Sequence, residues 1–563
     1  MFGGGSSIVR LKSARRSAIA IVWPQGFAGF IAVLGIAVAA LLYPSTASAN
    51  DVYVAQSSTG AGSGGDCADA LPSAYFNSAS NWTSGRPSGT QIGPGTTVHL
   101  CGTFAFSGGT SGALAVQGSG SSGNPIRIQF ETGANATAPY WGSGGFISIT
   151  GQGFIQIDGS PTSTPCGYVN SHDVACNGTI QATANGASLA NHVSAGRGIA
   201  LNNGTHDIEV RNVHCSNLFV PVQNSGANET TAGVNNSACV FWLSGSGGGN
   251  INVHNLQIKN SFNGVLLAYE GSNANMHVDN NWMDTVEVGA QIGAGQSGSS
   301  IAGGSFNGND VSNMAPWDAP GDANHHEFIH LYTQQPGATI SGFTIAGNYL
   351  HGTLGAYMTS EIYVECDGGS SCTAPTSINV EEFNNVIVNE DPNSDISSGA
   401  GGNTMTECEG STCQIYNNTY YSPNNYSSLN CAIHLEAGSI ITVKNNIFNG
   451  MSCAIANGSG TVVASSNLGY GLAVACGSAC SVSGNPNLDL SSSPAYQLTN
   501  TASAAYQSGG NLTLLGILSL DVAQLNVSRP LVGNWDMGAF EYGGSSGQTP
   551  PNPPSSLQAV VTQ

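Results

Sequence analysis

Charged side chains are scarce in this sequence, at 8% of 563 residues, and basic ones scarcer still, with 11 Lys and Arg against 32 Asp and Glu. So acidic a chain repels nucleic acid and anionic lipid unless metal ions intervene, which excludes phosphate-backbone binding as a function class. Low charge with abundant Gly, Ser, Asn and Thr also marks disordered chains, but here apolar residues alternate regularly along the sequence and argue against disorder. Long apolar runs are missing apart from Phe27 to Tyr43, so nothing after that point is long enough to span a bilayer. Cys-x2-Cys spacing is absent among the 14 Cys, which removes the usual zinc-binding grammar.

What the chain does contain is a repeated phrase. Ile440-Ile441-Thr442-Val443-Lys444-Asn445-Asn446-Ile447-Phe448-Asn449-Gly450 is rewritten as Ile208-Glu209-Val210-Arg211-Asn212, Ile251-Asn252-Val253-His254-Asn255, Met276-His277-Val278-Asp279-Asn280-Asn281 and Phe343-Thr344-Ile345-Ala346-Gly347-Asn348. Further copies run from Ile378 through Asn384-Asn385 and from Ile415 to Asn418. Alternation at period two is that of a half-buried strand and cannot line one stripe of a helix. A second apolar pair follows each Asn, so every unit holds at least two strands. The repeat interval, about 20 to 45 residues with loops of unequal length, fits coils stacked into a parallel β-solenoid. An Asn at one recurring turn then forms a ladder, since its amide tolerates left-handed backbone and bonds the coils above and below.

The N-terminal stretch reads as an export signal. Arg10, Lys12, Arg15 and Arg16 precede the apolar run, and Ala47-Ser48-Ala49 offers a small-residue cleavage site before Asn50. Residues 1–49 are therefore expected to be a signal peptide, with an uncleaved anchor as the alternative. Cleavage leaves seven basic against 32 acidic residues. The mature chain is expected outside the cytoplasm, secreted or at the cell surface, with no membrane attachment after signal removal.

Fourteen Cys in an exported chain read as disulfides. Close pairs, Cys166 with Cys176, Cys366 with Cys372, Cys408 with Cys413 and Cys476 with Cys480, are expected to staple loops. Cys215 with Cys239 and Cys431 with Cys453 are about one repeat apart and are expected to bridge stacked coils. Cys67 and Cys101 complete this nearest-neighbour scheme.

The densest cluster of reactive side chains is Trp317-Asp318-Ala319-Pro320-Gly321-Asp322-Ala323-Asn324-His325-His326-Glu327-Phe328-Ile329-His330-Leu331-Tyr332. With Ile329 and Leu331 inward, alternation sends His326, Phe328, His330 and Tyr332 outward, and one coil later Glu361, Tyr363 and Glu365 do the same. The expected stacking sets His330 by Glu365, Phe328 by Tyr363 and His326 by Glu361. Imidazoles tuned by carboxylates, beside aromatic plates, suit a sugar: rings stack on Trp317, Phe328, Tyr332 and Tyr363, and a His or Glu moves protons. Glu361 and Glu365 are about 13 Å apart along a strand, outside the roughly 5 to 9.5 Å of paired glycosidase carboxylates. Asp318 or Asp322 would have to supply the partner. The alternatives are a merely solvated polar strand and a divalent metal at His326, His330 and a carboxylate. Separately, Glu270, Asp367, Glu409 and Glu436 each close a strand before a Gly-containing turn. Stacked, they would hold Ca²⁺; unstacked, they are solvated turn acids.

Gly123-Asn124-Pro125-Ile126-Arg127-Ile128 and the closing Asn534-Trp535-Asp536-Met537-Gly538-Ala539-Phe540-Glu541-Tyr542 resemble phrases of secreted proteins of the pectate-lyase-like superfold. The resemblance, over about residues 51 to 542, implies an all-β, right-handed parallel β-helix. An N-terminal cap and first strands are expected over 50–122 and the helix over 123–542, while the Gly, Ser and Pro content of 543–563 reads as a tail. The resemblance is nearly silent on chemistry, because that superfold hosts lyases, hydrolases, epimerases and adhesins. The basic residues on offer for a lyase are few, Arg197, Arg211, Lys259 and Lys444, and no family's catalytic motif can be matched. Three readings follow: a protein acting on extracellular polysaccharide as lyase or hydrolase, a non-catalytic glycan-binding surface protein, and a self-associating structural element.

Overall fold

The computed structural model describes residues 51–542 apart from 163, 170–171, 185–195, 220–235, 245–248, 270, 273, 315–325, 355–357, 367–376, 391–403, 424–430, 492–494, 516–528 and 531. The repeated phrase folds into a parallel β-helix whose coils each present three faces. In one coil, Ile440–Lys444 lies on face A, Ile447–Asn449 on face B and Cys453–Asn457 on face C. Each pairs in parallel with its equivalent one coil away: Ile441 with Cys413 and Val462, Phe448 with Tyr420 and Gly469, and Ile455 with Ile433. Gln257–Tyr269 and Trp282–Ala294 turn the corner from face B to face C without a break, so these two faces form one continuous sheet.

Alternating side chains fill the coil. Ile155, Ile208, Ile251 and Met276 stand level in consecutive coils of face A, all buried. Removing each such side chain from water contributes about 1.5–3 kcal/mol, and the repeat multiplies it along the axis.

Two residues, not one, make the recurring turn between faces A and B. The first is left-handed: Asn280, Asn384, Asn417 and Asn445 have φ of 56°, 56°, 52° and 59°, and Gly308, Gly347 and Ser466 take that place elsewhere. The second forms the ladder. Asn281, Asn309, Asn348, Asn385, Asn418, Asn446 and Asn467 are buried, and each of the first six donates backbone N–H and side-chain Nδ2–H to the Oδ1 of the next. Each Nδ2 also reaches back to a face A carbonyl of an earlier coil, as Asn348 does to Phe306 O at 2.7 Å. The sequence expectation gave both tasks to one Asn; the structure divides them.

Disulfides join Cys67–Cys101, Cys166–Cys176, Cys215–Cys239, Cys408–Cys413, Cys431–Cys453 and Cys476–Cys480, as the nearest-neighbour scheme expected. Cys372 lies outside the described residues. Cys431 and Cys453 are level on adjacent coils of face C and do bridge them. Cys215–Cys239 differs from expectation: it links faces B and C inside a single coil, both sulfurs in the core.

The chain after the last coil returns over the outside of the A–B corner. Trp535 packs on Ala346, Phe383 and Tyr416, Phe540 on Val386 and Val388, and Met537 on Ile447 and Leu468. Fully buried Arg529 fastens this return. It donates to Asn384 Oδ1 at 3.1 Å, to Gly538 O at 2.9 Å and to Glu541 Oε2 at 3.1 Å.

Candidate functional site

On face C, strands Glu327–Thr333, Ser360–Cys366, Thr404–Glu409 and Cys431–Leu435 lie side by side. Ile329, Leu331, Ile362 and Val364 point into the core, so the residues between them leave the sheet on its outer side. Two outer columns result. One runs Gln291, His330, Tyr363, Glu407, His434; the other runs Tyr332, Glu365, Glu409.

The observed register differs from the expected stacking by two residues. His330 is level with Tyr363, and Tyr332 with Glu365. The expected His330–Glu365 partnership forms all the same, diagonally, with Nε2 and Oε2 3.0 Å apart. His330 stacks on Tyr363, ring centroids 5.2 Å apart at 19°, and lies 5.1 Å from the Tyr332 ring. Tyr363 donates its hydroxyl to Glu409 Oε2 at 3.0 Å. Gly293 is level with Tyr332, and a Cβ there would lie 2.1 Å from the phenol ring, so only glycine lets that ring settle onto the sheet.

Two expected outward residues are interior. Phe328 is fully buried in the main core, and Glu361, one residue before the Ile329–Ile362 pair, is level with it. The corner from face B into face C resets the alternation, so Phe328 and Ile329 are consecutive core residues. Phe328 is therefore no sugar platform, and Glu361 makes no pair with His326. Burial pushes the Glu361 carboxyl up to about 8, and its Oε1 has no hydrogen-bond partner. Its charge reaches Tyr420, whose hydroxyl joins Glu382 of face A at 2.6 Å and Thr406 of face C at 3.1 Å within the coil.

Glu327 takes the place that Glu361 was expected to fill. It is fully buried, and its carboxyl is pushed up to about 7 by burial and by Glu365, against the pull of His330 and His326. His326, just ahead of the strand, is buried as well. Trp317, Asp318 and Asp322 lie outside the described residues.

Beyond this group, His434 Nδ1 meets Glu407 Oε1 at 3.1 Å and its Nε2 meets Glu436 Oε1 at 3.5 Å. The hydrogen bond to Glu407 holds the His434 imidazole above its ordinary pKa. Burial raises the Glu409 carboxyl despite the Tyr363 hydroxyl. Of the four expected Ca²⁺ ligands, Glu409 and Glu436 come together on face C, while Glu270 and Asp367 lie outside the described residues. On the other side, Tyr332 borders a cavity of about 260 Å³ lined by Phe241, Leu243, Leu266 and Gln291. The Arg197 guanidinium covers Phe241, 3.2 Å from its ring centre. Arg211 and Lys259 are tied to Asp158 and Asp284, 2.9 and 3.1 Å away.

Sequence reasoning missed Glu327, Glu407 and His434. Glu327 stands inside the quoted His-rich phrase, but period-two counting from Ile329 assigns it to the interior. Glu407 and His434 have no local signal; only the register makes them neighbours.

Three parallel faces per coil define a parallel β-helix. No protein family and no curated protein matches the sequence. Among solved structures the chain is similar to pectate lyase Pel9A, at 13% identity and TM-score 0.41 over 88% of this chain and 98% of that one. It is also similar to a GH136 lacto-N-biosidase from Eubacterium ramulus, at 11% and 0.39 over 74% and 68%. A third is the PL6 family alginate lyase AlyGC, at 10% and 0.35 over 74% and 54%.

Proposed function

We propose that face C is the working surface of an exported protein that acts on or binds extracellular polysaccharide. The observation that supports this is one constellation: His330 held by Glu365, flanked by the rings of Tyr332 and Tyr363, with Glu327 poised near neutrality beside it. Aromatic rings bind the apolar faces of sugars, and a carboxyl with pKa about 7 exchanges its proton at neutral pH. In a catalytic protein Glu327 is the proton-transfer group and His330–Glu365 the pair that positions and polarises the substrate. Cleavage by elimination and by hydrolysis both fit this set.

A second reading, self-association, is favoured by the last strand of face A, Thr461–Ser465, where Val463 is 51% exposed. The test is incubation of the purified chain with pectate, alginate and neutral polysaccharides, with calcium or a chelator, following reducing ends and unsaturated-uronate absorbance together. Turnover that falls roughly 100-fold in Glu327→Gln supports the catalytic form. Retention on a polysaccharide without turnover supports the binding form. Neither turnover nor retention on any polysaccharide, with oligomers forming as concentration rises, supports the second reading instead.

A further inference from the structure

We propose that Glu407, His434 and Glu436 bind one borderline divalent cation of the zinc class. One donor atom from each of the three lies within 4.8 Å of the others. Glu407 and His434 are level on adjacent coils, and Glu436 leaves the chain two residues after His434 on the same side. The contacts of 3.1 and 3.5 Å are close to the separation of ligands that share an ion through bonds of about 2.0–2.2 Å.

A second observation points to a ligand. The Glu407 side chain is only 3% exposed, and its Oε2 is shielded from water with no hydrogen-bond partner. A carboxylate oxygen in that position is costly unless a cation meets it. Access is open on one side, because the side chains of His434 and Glu436 are 17% and 40% exposed. That leaves a coordination position for water or another ligand.

The donor set selects among ions. Calcium takes six to eight oxygens, whereas an imidazole nitrogen with two carboxylates suits zinc and its first-row neighbours. This differs from the calcium expected from turn acids, although Glu436 is common to both. It holds whether or not face C acts on polysaccharide.

The test uses the full chain stripped with chelator, titrated with zinc and, separately, calcium, by calorimetry and thermal melting. The expected result is one zinc per chain, a raised melting temperature, and calcium binding at least tenfold weaker. His434→Gln and Glu407→Gln lose roughly 100-fold in zinc affinity, while His277→Gln on face A holds it within about threefold. If His434→Gln does not fold, judged by its melt in chelator, Glu436→Gln at the exposed rim replaces it. Zinc affinity unchanged in these face C variants, or calcium binding as tight as zinc, overturns the proposal.

Discussion

Glu327 and Glu361 are two buried carboxyls on adjacent coils of face C, and the side on which each stands decides what it can do. Glu327 shares its surroundings with His330 and Glu365, and its proton is held up to about 7. Activity on a responsive polysaccharide is therefore expected to show an inflection near pH 7 in kcat/KM. It falls above that pH where Glu327 acts as the acid, and below it where Glu327 acts as the base. The inflection disappears in Glu327→Gln. Glu361 faces the interior, so its effect is on stability. Its folded pKa, about 8, stands above the ordinary 4.5, so the folded state holds a proton that the unfolded state releases in between. That contribution is complete below pH 4.5 and is lost as pH rises through 8. Glu361→Gln is expected to melt within about 1 °C of wild type at pH 4.5 and about 4 °C or more above it at pH 8, measured by circular dichroism. The roles of these two residues were not legible in the sequence. Counting by twos along a strand is sound within a strand, but the corner before Glu327 breaks the count, and nothing in His-Glu-Phe-Ile-His marks the break.

At the scale of the element, the turn between faces A and B carries the most specific interactions. Asn281 accepts from Leu256 N at 2.9 Å, and its Nδ2 donates to Asn309 Oδ1 at 3.0 Å. Asn280, one residue earlier, is exposed with φ 56°. Asn281→Ala is expected to cost about 3 kcal/mol in chemical denaturation, because it leaves several buried groups unpaired. Asn280→Gly is expected to change stability by no more than about 0.5 kcal/mol, since glycine adopts the left-handed conformation without strain. The strands and the Asn turns were legible because each copy repeats the same physics: alternation for the half-buried strand, Asn where the backbone goes left-handed. The register across face C was not. It depends on the loops between faces B and C, whose lengths vary from coil to coil, and the two-residue offset between expected and observed pairing is the consequence.

For the whole molecule, a helix of stacked coils has no single centre, and its ends and edges need separate protection. The return segment supplies part of this by covering the A–B corner, with Arg529 reaching Asn384, Gly538 and Glu541 at once. Arg529→Met leaves those partners short of a donor. It is expected to expose residues 485–542 to protease under conditions where the wild type resists, seen as an early fragment in limited proteolysis. The closing Trp-Asp-Met-Gly-Ala-Phe phrase could be quoted from the sequence as a resemblance, but its task, three apolar side chains set against the outside of five coils, is visible only in the fold. The proposed working surface, face C, is a different face from the A–B corner on which the return segment packs. The most direct test is to compare wild type with His330→Ala and Tyr332→Ala on face C, and with Gln414→Ala and Thr442→Ala on face A, for retention and turnover on the polysaccharide that responds best. The account predicts a loss of roughly tenfold or more for both face C variants and wild-type behaviour for both face A variants. Equal behaviour of all four, or loss confined to face A, would contradict it.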